Sequence, residues 1–264
     1  MTGVERIAAA LAAPGKRAAL MPYLMGGFPS AEQSLRIGEA CLDGGADLLE
    51  LGIPFSDPLA DGPVIQAAGA AALAAGATPA AVLEVCKALS GRAPVVVMSY
   101  MNIVLARGIE EFADDLLAAG AAGLIVPDLP FEEADDLLAA CDARGLALVP
   151  LVAPTTPDAR LAAIGARARG FLYVVSLAGT TGERRALDGA LDGLIARAAA
   201  ATDVPVAVGF GISTPAQAAA TAAAGADGVI VGSRLVRAAA EAGDPPATVR
   251  ELVEKLADAL LCAP

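Results

Sequence analysis

The 264-residue chain contains no histidine and no tryptophan. The lack of histidine excludes serine and cysteine triads built on an imidazole, and it excludes metal sites that depend on histidine ligands. Lysine is rare, since it occurs only at Lys16, Lys87 and Lys255, all inside predicted helices. A Schiff-base aldolase needs a lysine at the end of a strand, so this class of enzyme is excluded as well.

Basic side chains are also scarce, with 18 Lys and Arg against 30 Asp and Glu and a net charge of −12. A chain this acidic is not expected to bind nucleic acid, which attracts the opposite charge. No apolar run reaches the ~18 residues that a transmembrane helix needs. Charged residues interrupt the N-terminal alanines, which is not the layout of a signal peptide. We therefore expect a cytoplasmic protein that binds neither nucleic acid nor membrane.

The four cysteines are widely spaced and form no Cys-x-x-Cys pair. Three of them, Cys41, Cys86 and Cys141, fall within apolar stripes of predicted helices. This pattern is typical of small buried thiols in a reducing compartment rather than of a disulfide framework or a metal site.

Short apolar runs recur about every 30 residues, which is the length of a βα unit. They are continuous rather than alternating, as in parallel strands that are covered on both faces. The predicted strands span residues 20–24, 47–51, 95–98, 124–126, 147–152, 171–175, 206–208 and 229–231. Eight strands that alternate with helices indicate an α/β protein, a (β/α)₈ TIM barrel formed by a single domain over residues 1–264, with an extra N-terminal helix. A doubly wound sheet is the weaker alternative, because no G-x-G-x-x-G follows the first strand.

Strand two leads into the densest polar segment of the chain, residues 50–63. Glu50 shares the side of Leu48, so it is predicted to point into the barrel, where desolvation would raise the pKa of its carboxyl into the range useful for proton transfer. The alternative is an inward ion pair with an arginine. Asp57 and Asp61 follow in the loop, where Asp-Pro and Asp-Gly pairs are also ordinary turn chemistry.

Glycine-rich turns follow the last two strands, at residues 209–213 and at Gly232-Ser233. Backbone amides at helix N-termini bind phosphate, and barrels often bind phosphate after strands seven and eight. A hydroxyl-rich loop at residues 178–182 could close over the same anion. The alternative is plain turn chemistry between strands and helices.

Aromatic side chains fall at several predicted strand ends: Tyr23, Tyr100, Tyr173 and Phe210. They predict a barrel mouth that accepts a flat, apolar part of a substrate, although Tyr173 could equally belong to the core. Asn102 and the segment 128–130 end strands three and four, as turn residues or as contacts.

The segment 50–63 resembles the signature of the tryptophan synthase alpha chain family, and further motifs match in order over nearly the whole length. The resemblance implies a carbon–carbon lyase that cleaves indole-3-glycerol phosphate to indole and glyceraldehyde 3-phosphate. Glu50 would be the acid–base group, Asp61 would stabilise positive charge at the indole nitrogen, and Tyr173 would assist at the glycerol side. Met25 and Leu177 depart from the residues common in the family, which bears on substrate affinity and loop closure.

By the same resemblance, the phosphate is held by Gly182, Gly211, Gly232 and Ser233. The substrate pocket is lined by Tyr23, Tyr100, Thr181 and Phe210. The chain itself would use no cofactor, and its partner would be a pyridoxal-phosphate beta subunit in an alpha2-beta2 heterotetramer. The partner would contact Asp57, Pro58, Asn102 and Pro130. One alternative is a stand-alone lyase that releases free indole. The other is a non-catalytic activator barrel, and the presence of both Glu50 and Asp61 argues against it.

Overall fold

The computed structural model describes residues 1–12, 15–175, 184–209, 211–241 and 243–262, with only the backbone described for 184–190. Within those residues nine strands form: β1 Ala19–Met25, β2 Leu49–Gly52, β3 Val95–Met98, β4 Gly123–Ile125, β5 Ala147–Val149, β6 Leu151–Val152, β7 Leu172–Val175, β8 Val206–Gly209 and β9 Gly228–Val231. The helices are α1 Gly3–Leu11, α2 Ala31–Asp43, α3 Pro63–Ala74, α4 Pro79–Ser90, α5 Met101–Arg107, α6 Ile109–Ala118, α7 Asp135–Asp142, α8 Asp158–Arg167, α9 Arg184–Ala200, α10 Pro215–Ala223, α11 Ser233–Glu241 and α12 Pro245–Ala259. A short 3₁₀ helix spans Phe131–Glu133.

Every strand pairing in this sheet is parallel, and the strand order is β5-β4-β3-β2-β1-β9-β8-β7-β6. β5 and β6 are consecutive pieces of one strand, separated by Pro150, so the sheet closes into a barrel of eight strand positions. This confirms the predicted (β/α)₈ barrel. The predicted strand 147–152 is divided at Pro150 because proline has no N–H to donate to the ladder. Its carbonyl still accepts a hydrogen bond from the Tyr173 N–H at 3.0 Å.

The predicted N-terminal helix, α1, seals the end of the barrel where the strands begin. Ile7 is fully buried in the cluster that fills the barrel interior, together with Met21 and Phe171. The Arg6 guanidinium donates hydrogen bonds to backbone carbonyls that precede β3 and β4: those of Ser90, Ala93 (3.1 Å) and Gly120 (3.0 Å). The predicted site residues lie at the opposite end of the barrel, where the strands end.

The outer layer packs the helices on the strand faces, and it contains the thiols predicted to be buried. Cys41, Cys86 and Cys141 are buried free thiols, whereas Cys262 is exposed. Burial raises the pKa of all three buried thiols, so they stay protonated. Over the described part of the chain, no single helix is long and apolar enough to cross a membrane; only α3 and α4, bent by 107°, reach that length and composition as a pair.

Candidate active site

Glu50 lies in β2 and its side chain points into the barrel, as the period of the strand predicts. Leu48, on the same side, belongs to the interior cluster. The Glu50 side chain is fully buried, and neither carboxyl oxygen has a hydrogen-bond partner among the described residues. Burial raises its pKa from 4.5 to about 8. Among the described residues no arginine pairs with Glu50, so the alternative of an inward ion pair is not supported. With a pKa of about 8, the Glu50 carboxyl is mostly protonated at neutral pH.

Asp61 lies in the loop between β2 and α3 and is half-buried. The loop is held by a turn in which the Asp61 N–H donates to the Pro58 carbonyl at 3.0 Å. The Gln66 amide also donates to the Asp61 carbonyl at 2.9 Å. Burial raises the pKa of the Asp61 carboxyl to about 6, and a hydrogen bond from the Tyr100 hydroxyl opposes that rise. Asp61 is therefore mostly ionised at neutral pH while Glu50 is not.

Two buried tyrosines, Tyr23 on β1 and Tyr173 on β7, are influenced by the charges of both carboxyl groups. Burial raises the pKa of each phenol, and the charges of both Glu50 and Asp61 raise it further. Each ring leans over a glycine of the adjacent strand. An added Cβ at Gly52 would lie 2.2 Å from the Tyr23 hydroxyl, and one at Gly209 would lie 2.3 Å from the Tyr173 hydroxyl. Both tyrosines thus need a glycine on the neighbouring strand. Tyr173 points into the barrel and also belongs to the buried cluster that fills it, as the core alternative expects.

Three of the predicted phosphate residues, Gly211, Gly232 and Ser233, lie in the described part of the chain, before or at the start of α10 and α11. Gly232 precedes α11, where its carbonyl accepts from the Leu235 N–H at 2.8 Å, and Ser233 is the first helical residue. Gly211 has a φ of 79°, a conformation that favours glycine. At α10, by contrast, the Ser213 N–H donates to the Gln217 side-chain oxygen at 2.9 Å. The helix after residues 209–213 is therefore capped by its own side chain, which leaves Gly211 and the start of α11 as the anion-binding candidates.

The profile of the tryptophan synthase alpha chain family matches residues 9–260. The alpha chain of Prochlorococcus marinus is 51% identical over 228 residues, which is 86% of this chain and 83% of the relative. That of Methanosarcina acetivorans is 48% identical over 248 residues, covering 94% and 90%. A chain of the Mycobacterium tuberculosis tryptophan synthase structure superposes with a TM-score of 0.90 at 40% identity, covering 99% of both chains.

The chain belongs to the tryptophan synthase alpha chain family. This membership confirms the resemblance drawn from segment 50–63, and it confirms the predicted enzyme class, a carbon–carbon lyase for the alpha reaction of tryptophan synthase.

Among the residues that the structure describes, no three carboxylate or thiol side chains converge to hold a metal ion.

In this alpha chain, the residues predicted to face a partner lie on loops that follow three successive strands. Asp57 is exposed and Pro58 half-buried after β2, and Asn102 is exposed in α5 after β3. Pro130 is exposed after β4. The Met101 N–H donates to the Asp128 carboxylate at 2.9 Å, which ties the last two of these loops together. The carboxyl ends of parallel strands share one rim, so all four residues lie at the catalytic end of the barrel.

Four residues singled out from the sequence lie outside the described residues: Leu177, Thr181, Gly182 and Phe210. The other departure from the family, Met25, is buried in a cluster with Tyr23 and with Ile65 of α3. Its methyl group would lie 3.4 Å from a Cβ added at Gly69. Met25 therefore fills space between β1 and α3 beside the alpha-chain site.

The structure also shows contacts that sequence reasoning missed. Tyr100, predicted as a wall of the pocket, has its hydroxyl against the loop that carries Asp61, with the Ala60 N–H donating to it at 3.1 Å. Gln66 cross-links the same loop through the Pro58 and Asp61 carbonyls. No local signal indicates either contact, because each depends on how the loop folds back over the barrel.

Proposed function

We propose that this alpha chain cleaves indole-3-glycerol phosphate by a retro-aldol reaction in which Glu50 transfers the protons. The protonated carboxyl donates its proton to C3 of the indole ring. The resulting carboxylate then accepts the proton of the adjacent glycerol hydroxyl as the carbon–carbon bond breaks. The electrons of that bond return to the ring, which releases indole and glyceraldehyde 3-phosphate and restores the protonated Glu50.

The observation that carries this proposal is a buried Glu50 of pKa about 8, with no hydrogen-bond partner among the described residues, together with an Asp61 of pKa about 6 whose charge acts on the same two tyrosines. A general acid works best when its pKa lies near the working pH, as that of Glu50 does. Asp61, ionised at the same pH, stabilises the positive charge that develops at the indole nitrogen after C3 is protonated. Two carboxyl groups with different environments thus take different roles.

The remaining pocket residues hold the substrate in our proposal. The mouth tyrosines Tyr23 and Tyr100 contact the flat indole together with Phe210 and Thr181, and Tyr173 assists at the glycerol hydroxyl. The phosphate binds to backbone amides at Gly182, Gly211, Gly232 and Ser233. The positive φ of Gly211 and the helix N-terminus at Ser233 support this placement, since both present amides to an anion. The reaction as written needs no cofactor on this chain.

We further propose that the rim defined by Asp57, Pro58, Asn102 and Pro130 docks a beta subunit, which carries pyridoxal phosphate and receives the indole. Two exposed apolar side chains support a docking surface: Leu59 in the loop after β2 is 93% exposed, and Leu105 in α5 is 57% exposed. Of the four rim residues, Asn102 also lines a groove of about 800 Å³, together with Phe55 and Arg107. A partner that covers this rim would bury these apolar groups.

The test is the release of indole from indole-3-glycerol phosphate by the wild-type chain and by Glu50→Gln. The amide keeps the shape of the side chain and cannot transfer a proton, so we expect a loss of about 10⁴-fold, the upper end for general acid–base catalysis. A variant that retains more than about a tenth of the wild-type rate would refute the role of Glu50.

The same assay with and without a beta subunit decides between the alternatives. Strong stimulation by the partner supports the subunit of a complex, whereas full activity of the isolated chain supports a stand-alone lyase. A wild-type chain that is inactive under both conditions would favour the activator barrel.

A further inference from the structure

We propose that Tyr100 is a positioning residue, which holds the Asp61 carboxylate towards the barrel mouth; this rests on the proposed function. Tyr100 is 4% exposed and lies two residues after the end of β3, at the N-cap of α5. Its hydroxyl accepts a hydrogen bond from the Ala60 N–H at 3.1 Å and donates one to the Asp61 side chain. A single phenol oxygen therefore binds both the backbone and the carboxylate of the loop.

Tyr100 contacts the loop between β2 and α3 with its ring as well as with its hydroxyl, because Phe55 belongs to that loop. The Tyr100 ring stacks on Phe55 with centroids 5.1 Å apart and an interplanar angle of 25°. The next residue, Met101, is tied to β4 through the Asp128 carboxylate at 2.9 Å. By contrast, Leu59 and Ala60 of the loop are exposed. The exposed side chains of Leu59 and Ala60 add little burial, so the Tyr100 contact joins the Asp61–Pro58 turn and Gln66 in holding this part of the loop.

Several groups share the electrostatic environment of Asp61. The phenols of Tyr23 and Tyr173 each respond to the charges of both Asp61 and Glu50. Asp128 acts on Tyr100 from the β4 side. Of these contacts, the hydrogen bond from Tyr100 is the one that favours the ionised form of Asp61. Loss of the hydroxyl therefore raises the pKa of Asp61 and frees the carboxylate to turn away from the mouth.

The test is Tyr100→Phe, which keeps the ring on Phe55 and removes only the oxygen. We expect kcat to fall about tenfold or more, as for loss of one hydrogen bond to a charged group, with little change in KM. We also expect the acid limb of the kcat/KM profile, near pH 6 in the wild type, to move up by about one pH unit, while the basic limb set by Glu50 stays in place.

A second measurement does not depend on activity. Carbon-13 NMR of aspartate-labelled protein follows the titration of the Asp61 carboxyl, whose signal is identified by its absence in Asp61→Asn. We expect its pKa to rise in Tyr100→Phe and to stay unchanged in Ser99→Ala. Ser99 is the matched control because it is a buried hydroxyl at the same strand end that bonds the Tyr100 carbonyl and not the loop.

The outcomes separate the two proposals. A wild-type chain with no lyase activity would overturn the proposed function, while the NMR titration would still test the contact. An active wild type with an unchanged Asp61 pKa and unchanged kcat in Tyr100→Phe would overturn the positioning role alone. Equal effects in Tyr100→Phe and Ser99→Ala would also overturn it, because they would reflect general disturbance of the strand end.

Discussion

The pKa of Glu50 has a consequence for stability that can be measured without any substrate. The carboxyl has a pKa of about 8 in the folded chain against 4.5 when solvated. Because the folded value is the higher one, the stabilising effect of the neutral form is complete below pH 4.5 and is lost as the pH rises from 4.5 to 8. Glu50→Gln removes this dependence, since the amide stays neutral at every pH.

The size of the effect follows from the two pKa values. Ionisation of Glu50 lowers the free energy of unfolding by about 1 kcal/mol at pH 5 and by about 5 kcal/mol at pH 9. The difference in unfolding free energy between Glu50→Gln and the wild type is therefore expected to grow by about 4 kcal/mol over this range, with most of the change complete by pH 8. Burial of the amide adds an offset that does not vary with pH.

The assay is urea unfolding followed by far-ultraviolet circular dichroism, because the chain has no tryptophan for fluorescence. The matched control is Glu39→Gln, which removes one carboxylate from the exposed face of α2. We expect the control to run parallel to the wild type across the pH range. If Glu50→Gln also ran parallel to the wild type, the carboxyl would have a partner or access to water, and the argument from burial would be refuted.

Two further predictions concern glycines. Gly211→Val is expected to abolish the binding of glycerol 3-phosphate measured by isothermal titration, because a β-branched residue does not tolerate a φ of 79°. Ser233→Ala keeps its backbone amide, so its affinity for glycerol 3-phosphate should fall only about fivefold. Equal losses of affinity in the two variants would place the anion elsewhere. Gly52→Ala is expected to destabilise the fold by about 1–3 kcal/mol, because its Cβ would lie 2.2 Å from the Tyr23 hydroxyl. Gly91→Ala, with nothing within 4 Å, is the control, and equal thermal midpoints for the two variants would contradict the close approach.

The barrel could be predicted from sequence because its strands are buried on both faces, so each appears as a continuous apolar run of fixed spacing. The inward direction of Glu50 followed from Leu48 by the period of two. The division of the fifth strand at Pro150 was missed, although proline in a strand interior is a signal for it. The strands, the direction of Glu50 and the break at Pro150 all depend on residues close together in the chain. Local sequence patterns are therefore sufficient to predict them.

The contacts that set the chemistry of Asp61 could not be predicted in this way. Tyr100 is 40 residues from Ala60, whose N–H it binds, and a tyrosine at a strand end equally suits a pocket wall. The capping of α10 by Gln217 was also missed, although Thr214 and Gln217 have the spacing of a capping box. In each case a side-chain oxygen accepts a hydrogen bond from a backbone N–H that could otherwise bind a ligand. Only the folded structure shows which side chain takes that position.

Glu50 and Asp61 show how a strand and the loop that follows it place two carboxyl groups in different environments. Glu50 remains on a strand inside the barrel, where nothing in the described structure hydrogen-bonds its oxygens and the neutral form is favoured. Asp61 lies beyond the strand, where partial exposure and the Tyr100 hydroxyl favour the anion. Between about pH 6 and pH 8, one group can therefore donate a proton while the other stabilises a cation. The end of strand β2 separates these environments, which supports the proposed division between an acid and an electrostatic partner.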